Sequence, residues 1–356
     1  MRPFVVVDAT PYGREPSGAR RRFDELLPRV ARLRPDAVFE VHWPRDGATP
    51  GPDLVADNVV HVRTDTSCTG GALRWWRRSR ALARRHREAP FTHCWVDHGP
   101  LVRPDRVRNL VTVHDLRFLH GYGGRLRGWY GRRRYGGLLR RAAAVVAVSD
   151  AIGDELRAVY GVRDAVVARN APAAGFSREA LDRVDDVLRA RGIARPYLLV
   201  VGRDEPRKAM AAALDAWRRA RADGASYRLV VVGSKALAGD GVVAVPRTTD
   251  AELAALYAGA SFTLVPSRYE GYSLPVVESL ACGTPVIASD IAAHRALVAG
   301  GARGLVLVPP PAPAREGHAW PAAAAALKGP RGFDAAPPAA TWDDAAAAVA
   351  AALLRG

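Results

Sequence analysis

The segment SRYEGYSLPVVESLACGTPVIASD, residues 267–290, places two carboxylates, Glu270 and Glu278, on either side of a Gly-Tyr-Ser-Leu-Pro turn. The apolar run at 262–265 reads as a strand that feeds this loop. Pro275 suits the first helical position and Gly283 the stop before the next strand. Glu270 then sits at the carboxyl edge of a parallel sheet, where open α/β folds bind ligands. Glu278 lies one turn inside the helix, able to point back toward the same crevice. The N–H groups at that helix start suit an anion such as a diphosphate. A surface loop followed by a helix pair of glutamates accounts for the same residues without chemistry.

A second constellation is the turn VVGRDEPRK, in which a strand ends at Gly202 and Arg203 and Lys208 bracket the next helix start. Cations there oppose the helix dipole by about 0.3–1 kcal/mol each, a sign that a bound phosphate would reverse. The plain alternative is a pair of solvated cations offset by Asp204 and Glu205. In TVHDL, His114 follows a strand, where an imidazole can hydrogen-bond a sugar, polarise a reacting group or simply cap the strand. His98 in VDHGP and Asn170 in RNAP are weaker members of the same type. In PYGREPSGARRRF, Gly18 could bring its backbone against a ligand, although an ordinary glycine turn suffices. No D-x-D triplet, H-x-x-x-H pair or C-x-x-C pair occurs, so neither a metal nor a cofactor is expected.

The elements that must position these residues alternate in type along the chain. Runs at 4–8, 38–43, 59–63, 93–97, 110–113 and 143–148 read as strands, with helices at 20–33 and around 152–156. Ser149 stands where an N-cap should be. The rhythm restarts at 197–202, 228–233, 242–245, 262–265 and 285–288, with a helix at 208–221 and a capping box from Thr249 to Glu252. Such alternation implies parallel sheets built from βαβ units. The weakly patterned stretch 170–196 separates the two rhythms, and 315–338 looks like a loosened terminal region before a last helix at 342–354.

With 356 residues and 49% hydrophobic content, the chain is sized for two domains and excludes a wholly disordered protein. Its longest apolar runs fall short of the roughly 20 residues a membrane span needs. The opening MRPFVVVDA reads as a strand rather than a signal peptide, so a cytoplasmic location is expected. Cys68, Cys94 and Cys282 are too widely spaced for a disulfide framework or a zinc ribbon. The net charge of +16 invites a polyanion partner. Of the 52 basic residues, however, all but Lys208, Lys235 and Lys328 are arginine. That skew accompanies abundant Ala, Gly and Pro, as GC-rich codons produce, and makes nucleic acid an unlikely partner.

In order, TVHDL, VSDAIGDEL, RNAPAAGF, VVGRDEPRK and the segment from DAELAALYAGASF to ASDIAA resemble the retaining GT-B glycosyltransferases of family 4, with their E-x7-E motif. The likeness runs from about residue 90 to 310 and is densest over 197–292. It implies a doubly wound α/β architecture: an acceptor domain at 1–172, a nucleotide-sugar domain at 173–338, facing it across a cleft, and a helix at 339–356 returning to the first. It implies that Arg203 and Lys208 neutralise the donor diphosphate and that Glu278 holds the ribose. Glu270 with Gly271, Tyr272, Ser273 and Leu274 would hold the transferred sugar. His114 would lie near the reacting centre, with Gly18 and His98 on the acceptor side, and no metal would be needed. The chain departs from the family at Ala171 and at Ser273, where glycine is usual, and in IAAHRALV, where a glutamate is usual.

The resulting expectation is a retaining transferase moving a sugar from a nucleotide-sugar to a glycan, lipid-linked or natural-product acceptor. A polyanion-binding protein on the same scaffold, or a GT-B epimerase or phosphorylase, is the competing reading. Residues 74–87 and 125–141 each hold seven arginines interleaved with aromatics. They suit an anionic membrane surface, peripheral on its inner face, or a solvated helix face.

Overall fold

The structure, a computed structural model, describes residues 2–14, 17–51, 54–69, 71–96, 107–122, 124–234, 239–329 and 334–353; the side chains of 71–75, 127, 130, 134 and 315 lie outside that description. The chain divides into two units, Met1–Asn170 with Thr341–Gly356, and Ala171–Ala340. The sequence reading set these boundaries at 172/173 and 338/339.

In the first unit, runs rich in valine make strands that are mostly buried in the middle of the sheet, as a covered parallel sheet requires, while the edge strand at 59–63 is partly exposed. The strands are β1 (Phe4–Asp8), β2 (Val38–Trp43), β3 (Val59–Arg63), β4 (His93–Val96), β5 (Arg108–Val113), β6 (Ala144–Ala147) and β7 (Val166–Val167). All pair in parallel, in the order β3-β2-β1-β4-β5-β6-β7. The connecting helices include α1 (Gly18–Leu33), α2 (Gly71–Glu88), α3 (Arg125–Tyr130), α4 (Gly136–Leu139) and α5 (Asp150–Tyr160). Helix α1 begins two residues before the expected 20, capped by Ser17, whose hydroxyl accepts from Arg20 N–H at 3.2 Å. Ser149 caps α5 as expected, accepting from Ile152 N–H at 3.2 Å.

The second unit repeats the plan. It holds β8 (Tyr197–Val201), β9 (Arg228–Val232), β10 (Val242–Val245), β11 (Phe262–Val265), β12 (Val286–Ser289) and β13 (Leu305–Val308), all parallel in the order β10-β9-β8-β11-β12-β13. Its helices are α6 (Val184–Arg191), α7 (Met210–Ala222), α8 (Asp250–Gly259), α9 (Leu274–Ala281), α10 (Ala292–Ala299) and α11 (Pro321–Ala326). The stretch read as weakly patterned becomes a 3-10 turn and α6, with Ala180, Val184 and Leu188 buried beside Leu253, Ala254 and Tyr257. The region expected to be loosened instead sends Trp320, Ala323, Ala324 and Leu327 into the core. Trp320 is 1% exposed, packs with Trp217 and Leu327, and donates its indole N–H to the Pro309 carbonyl at 2.9 Å.

Helix α12 (Trp342–Ala352) closes the first unit, opened by a capping box in which Thr341 Oγ1 accepts from Asp344 N–H at 3.0 Å. It packs along α1, and Arg29 on α1 reaches Asp343 at 2.9 Å. Among the described residues, no helix is long and apolar enough to cross a membrane.

Candidate active site

Both strand orders reverse direction beside the first strand of the sheet, between β1 and β4 and between β8 and β11. At such a switch point the loops leaving adjacent strands part in opposite directions and open a crevice at the carboxyl edge. In the second sheet those are the loops that follow Val201 and Val265, which carry the two strongest constellations of the sequence.

The loops are stitched together through charge. Glu270 accepts from Lys208 Nζ at 2.5 Å, from Arg207 Nη1 at 2.7 Å and from the Ser267 hydroxyl at 2.8 Å. Its side chain is 6% exposed, against 13% for Arg207 and 14% for Lys208. Arg207 also reaches Glu205 at 2.9 Å, and Arg268 N–H donates to the Arg207 carbonyl at 2.7 Å. Gly233, at φ +88°, lets the loop after β9 approach; a Cβ there would stand 2.8 Å from the Gly202 carbonyl oxygen. Helix α7 starts at Met210 rather than 208, so Lys208 belongs to the turn before it, with Ala209 held at φ +47°.

Burial pushes the Glu270 carboxyl up, but the charges of Lys208 and Arg207 more than reverse this and bring it down to about 2. A carboxylate that is more acidic folded than unfolded stabilises the fold fully above its ordinary value of 4.5. That contribution disappears as pH falls from 4.5 to about 2. Glu270→Gln is therefore expected to lower Tm at pH 7, by on the order of 5–10 °C, because Lys208 and Arg207, both half-buried, lose the carboxylate they share. The gap to wild type should close as both are titrated toward pH 2, read by thermal melts across the range. Parallel melting curves at every pH would contradict the pairing.

Glu278 lies on α9, 2% exposed, and accepts from the Tyr257 hydroxyl at 3.3 Å. Between the two glutamates, Gly271, Tyr272 and Ser273 form the turn into Leu274, the first residue of α9. Ser273 adopts φ +89°, the left-handed region that glycine occupies without strain. That geometry explains the usual glycine at this position. The serine is held by His294, which is buried and kept below its ordinary pKa by burial, hence neutral. Its Nδ1–H donates to the Ser289 carbonyl at 2.7 Å, which leaves Nε2 to accept from the Ser273 hydroxyl at 3.1 Å.

The second unit thus brings together Lys208 and Glu270 directly, with Glu278 one helical turn into α9 from the same loop. Arg203 is exposed in the loop after β8. Arg207, which sequence reasoning missed, pairs with Glu270 at 2.7 Å. Among the described residues no group of three or more His, Cys, Asp or Glu is placed to hold a metal ion. In the first unit, His114 is half-buried just beyond the carboxyl end of β5. Gly18 is not in a loop but opens α1. Asn170 is buried and accepts from Arg22 of α1 at 2.5 Å, a packing role. His98 lies outside the described residues.

Residues 195–319 match the family described as glycosyl transferases group 1. The D-inositol 3-phosphate glycosyltransferase of Gordonia bronchialis is 28% identical over 189 residues, 47% of this chain and 41% of that protein. The aligned part of the chain therefore spans less than half the length of that relative. Sucrose-phosphate synthase from Thermosynechococcus elongatus superposes with a TM-score of 0.69 at 18% identity, covering 99% of this chain and 95% of that one. The Anabaena protein HepE, solved in complex with UDP and glucose, gives 0.62 at 16% identity, covering 100% and 95%. Two doubly wound parallel-sheet units with these neighbours define the GT-B glycosyltransferase fold. The second unit carries the match to the glycosyl transferases group 1 family, and the chain shares the fold of the GT-B glycosyltransferases.

Proposed function

We propose that the chain transfers a sugar from a nucleotide-sugar donor to a hydroxyl group of a glycan, lipid-linked or natural-product acceptor, with retention of anomeric configuration and without a bound metal. The observation that carries this reading is buried Glu270 held between half-buried Lys208 and Arg207, at the switch point of the unit that matches the group 1 family. A diphosphate entering that crevice offers Lys208, and exposed Arg203, an anion whose charge grows as the sugar departs. A fixed cation stabilises that growing charge most where water is excluded. Ionised Glu270 is suited to accept hydrogen bonds from sugar hydroxyls, beside the N–H groups of the Gly271–Leu274 turn. Glu278 is assigned to the ribose and His114 to the acceptor side. In the transfer itself, the acceptor oxygen bonds to the anomeric carbon from the face that the phosphate leaves. The departing phosphate oxygen takes the acceptor proton, so no protein base is consumed. The UDP and glucose bound by HepE make a UDP-hexose the first donor to test.

Thermal stabilisation by UDP, GDP, ADP and dTDP, with duplex DNA as comparison, tests the donor site. At about 100 times its Kd the correct nucleotide contributes about 2.7 kcal/mol. Turnover with the matching nucleotide-sugar, followed by anomeric NMR, should show a retained configuration and an undiminished rate in EDTA. An inverted product, strict dependence on Mg²⁺ or Mn²⁺, or stabilisation by DNA alone would overturn the proposal.

A further inference from the structure

The helical stretch from α3 to α4 is built to show one face outward. It runs unbroken from Arg125 to Leu139, through one turn of π-helix at Gly131–Tyr135. Its inner side rests on stacked aromatic rings: Phe118 against Tyr135 at 5.6 Å, and Tyr135 against Tyr160 at 5.9 Å, both edge-on. Two glycines make that seating close. A Cβ on Gly131 would lie 2.1 Å from the Phe118 ring, and one on Gly136 2.5 Å from the Tyr160 ring. The Tyr160 hydroxyl donates to the Gly131 carbonyl at 2.8 Å, holding the π turn against the unit.

With that side fixed inward, Arg125, Leu126, Trp129, Arg132 and Arg133 project outward, spaced to share one helical arc. Leu126 is 85% exposed and Trp129 58%. Arg132 is tied at one nitrogen to the Leu119 carbonyl at 2.8 Å, which steadies the face. Elsewhere the protein buries such side chains: Trp43, Trp95, Trp217, Trp320 and Trp342 are all within 5% of full burial. The other exposed tryptophan described is Trp76 on α2, with Arg80 stacked over its ring at 4.7 Å.

We propose that the Arg125–Arg133 face is a docking surface for an anionic lipid bilayer. A leucine and a tryptophan flanked by arginines match the three layers of such a surface. The aliphatic side chain gains by leaving water for acyl chains, the indole by lying at the interface, and the guanidinium groups by meeting lipid phosphates. A nucleic acid would use the arginines and the ring, but offers Leu126 no apolar medium. An acidic protein partner would leave the same side chain without one unless it brought its own. The charge of the face is thus complementary to phosphate, and its apolar pair is complementary to hydrocarbon. Because this surface lies in the first unit, the inference is independent of the donor reading.

Co-sedimentation of the full chain with large unilamellar vesicles tests this, using phosphatidylglycerol mixed with phosphatidylcholine against phosphatidylcholine alone. Binding to the anionic vesicles should be strong at low salt and weaken at high salt, since each basic residue contributes about fivefold and is screened. Leu126→Ser with Trp129→Ala should reduce partitioning at least tenfold. So should Arg125→Gln, Arg132→Gln and Arg133→Gln together. Far-UV circular dichroism and Tm, unchanged in both variants, establish that the fold is intact. Val55→Ser, which removes another exposed side chain of the same unit, should bind as wild type does. No binding to anionic vesicles, equal binding to neutral ones, or full binding by both face variants would overturn the proposal. So would displacement from the vesicles by duplex RNA in a manner that depends on the same five residues.

Discussion

Lys208→Ala is expected to lower kcat/KM for the nucleotide-sugar by 10²–10³-fold, about 3–4 kcal/mol of transition-state stabilisation. The ammonium lies 2.5 Å from Glu270 in a setting only 14% exposed, so little water competes for it. On the proposed function its loss removes a positive charge from the leaving phosphate, and it leaves Glu270 paired with Arg207 at 2.7 Å. Breaking a buried ion pair costs about 3–5 kcal/mol when one partner is left behind. Part of that is offset here because Arg207 remains, so the melting temperature should also fall. Arg203→Ala should cost much less, because an exposed cation acts through a high dielectric and is screened. Steady-state kinetics with a saturating acceptor separates the two. If Lys208→Ala stays within threefold of wild type, or Arg203→Ala costs more than Lys208→Ala, the clamp has been placed on the wrong residue.

That ranking of two cations could not be read from VVGRDEPRK, where both flank a turn. Local signals were legible: β-branched runs became strands, Ser149 caps α5, and Thr249 with Glu252 closes the capping box of α8. Strand order was not, because hydrogen bonding between β8 and β11 joins residues about 60 positions apart, and no local pattern encodes it. The contact between Lys208 and Glu270 depends on that order. Arg207 was missed for a compositional reason: among 49 arginines, one more beside a rare lysine carries no signal. Its adjacency to Lys208 in a tight turn was the available clue. In the stretch 170–196 the signal existed but was short, since Ala180, Val184 and Leu188 repeat every four residues. Helix α11 is nearly all alanine and shows no amphipathic period, so Trp320 alone marked it as core. Two of the seven arginines of 74–87 are tied to carboxylates of the first unit, Arg78 buried and Arg85 half-buried. Arg78 reaches Asp8 at 3.0 Å, which removes it from any surface that binds anions, and Arg85 reaches Glu40 at 2.7 Å, which offsets its charge.

Glu270→Gln is expected to separate sugar transfer from nucleotide binding. On the proposed function, a donor diphosphate competes with Glu270 for an ammonium that the carboxylate already engages at 2.5 Å. Replacing the carboxylate with an amide removes the rival while keeping side-chain volume, so the ammonium of Lys208 loses the carboxylate that engages it at 2.5 Å. Free nucleoside diphosphate should then bind at least as tightly as to wild type, and its stabilising effect on Tm should be larger. Transfer should nevertheless fall by about 10²-fold or more, because an amide cannot replace a carboxylate that accepts from sugar hydroxyls and faces developing positive charge at the anomeric carbon. Glu278→Ala should do the opposite: it removes the acceptor assigned to the ribose, weakening the nucleotide itself by about 1.5–3 kcal/mol. Isothermal titration with the free diphosphate, run beside turnover, reads both effects in each variant. If Glu270→Gln lost the nucleotide while Glu278→Ala kept it, the two carboxylates would have to exchange roles.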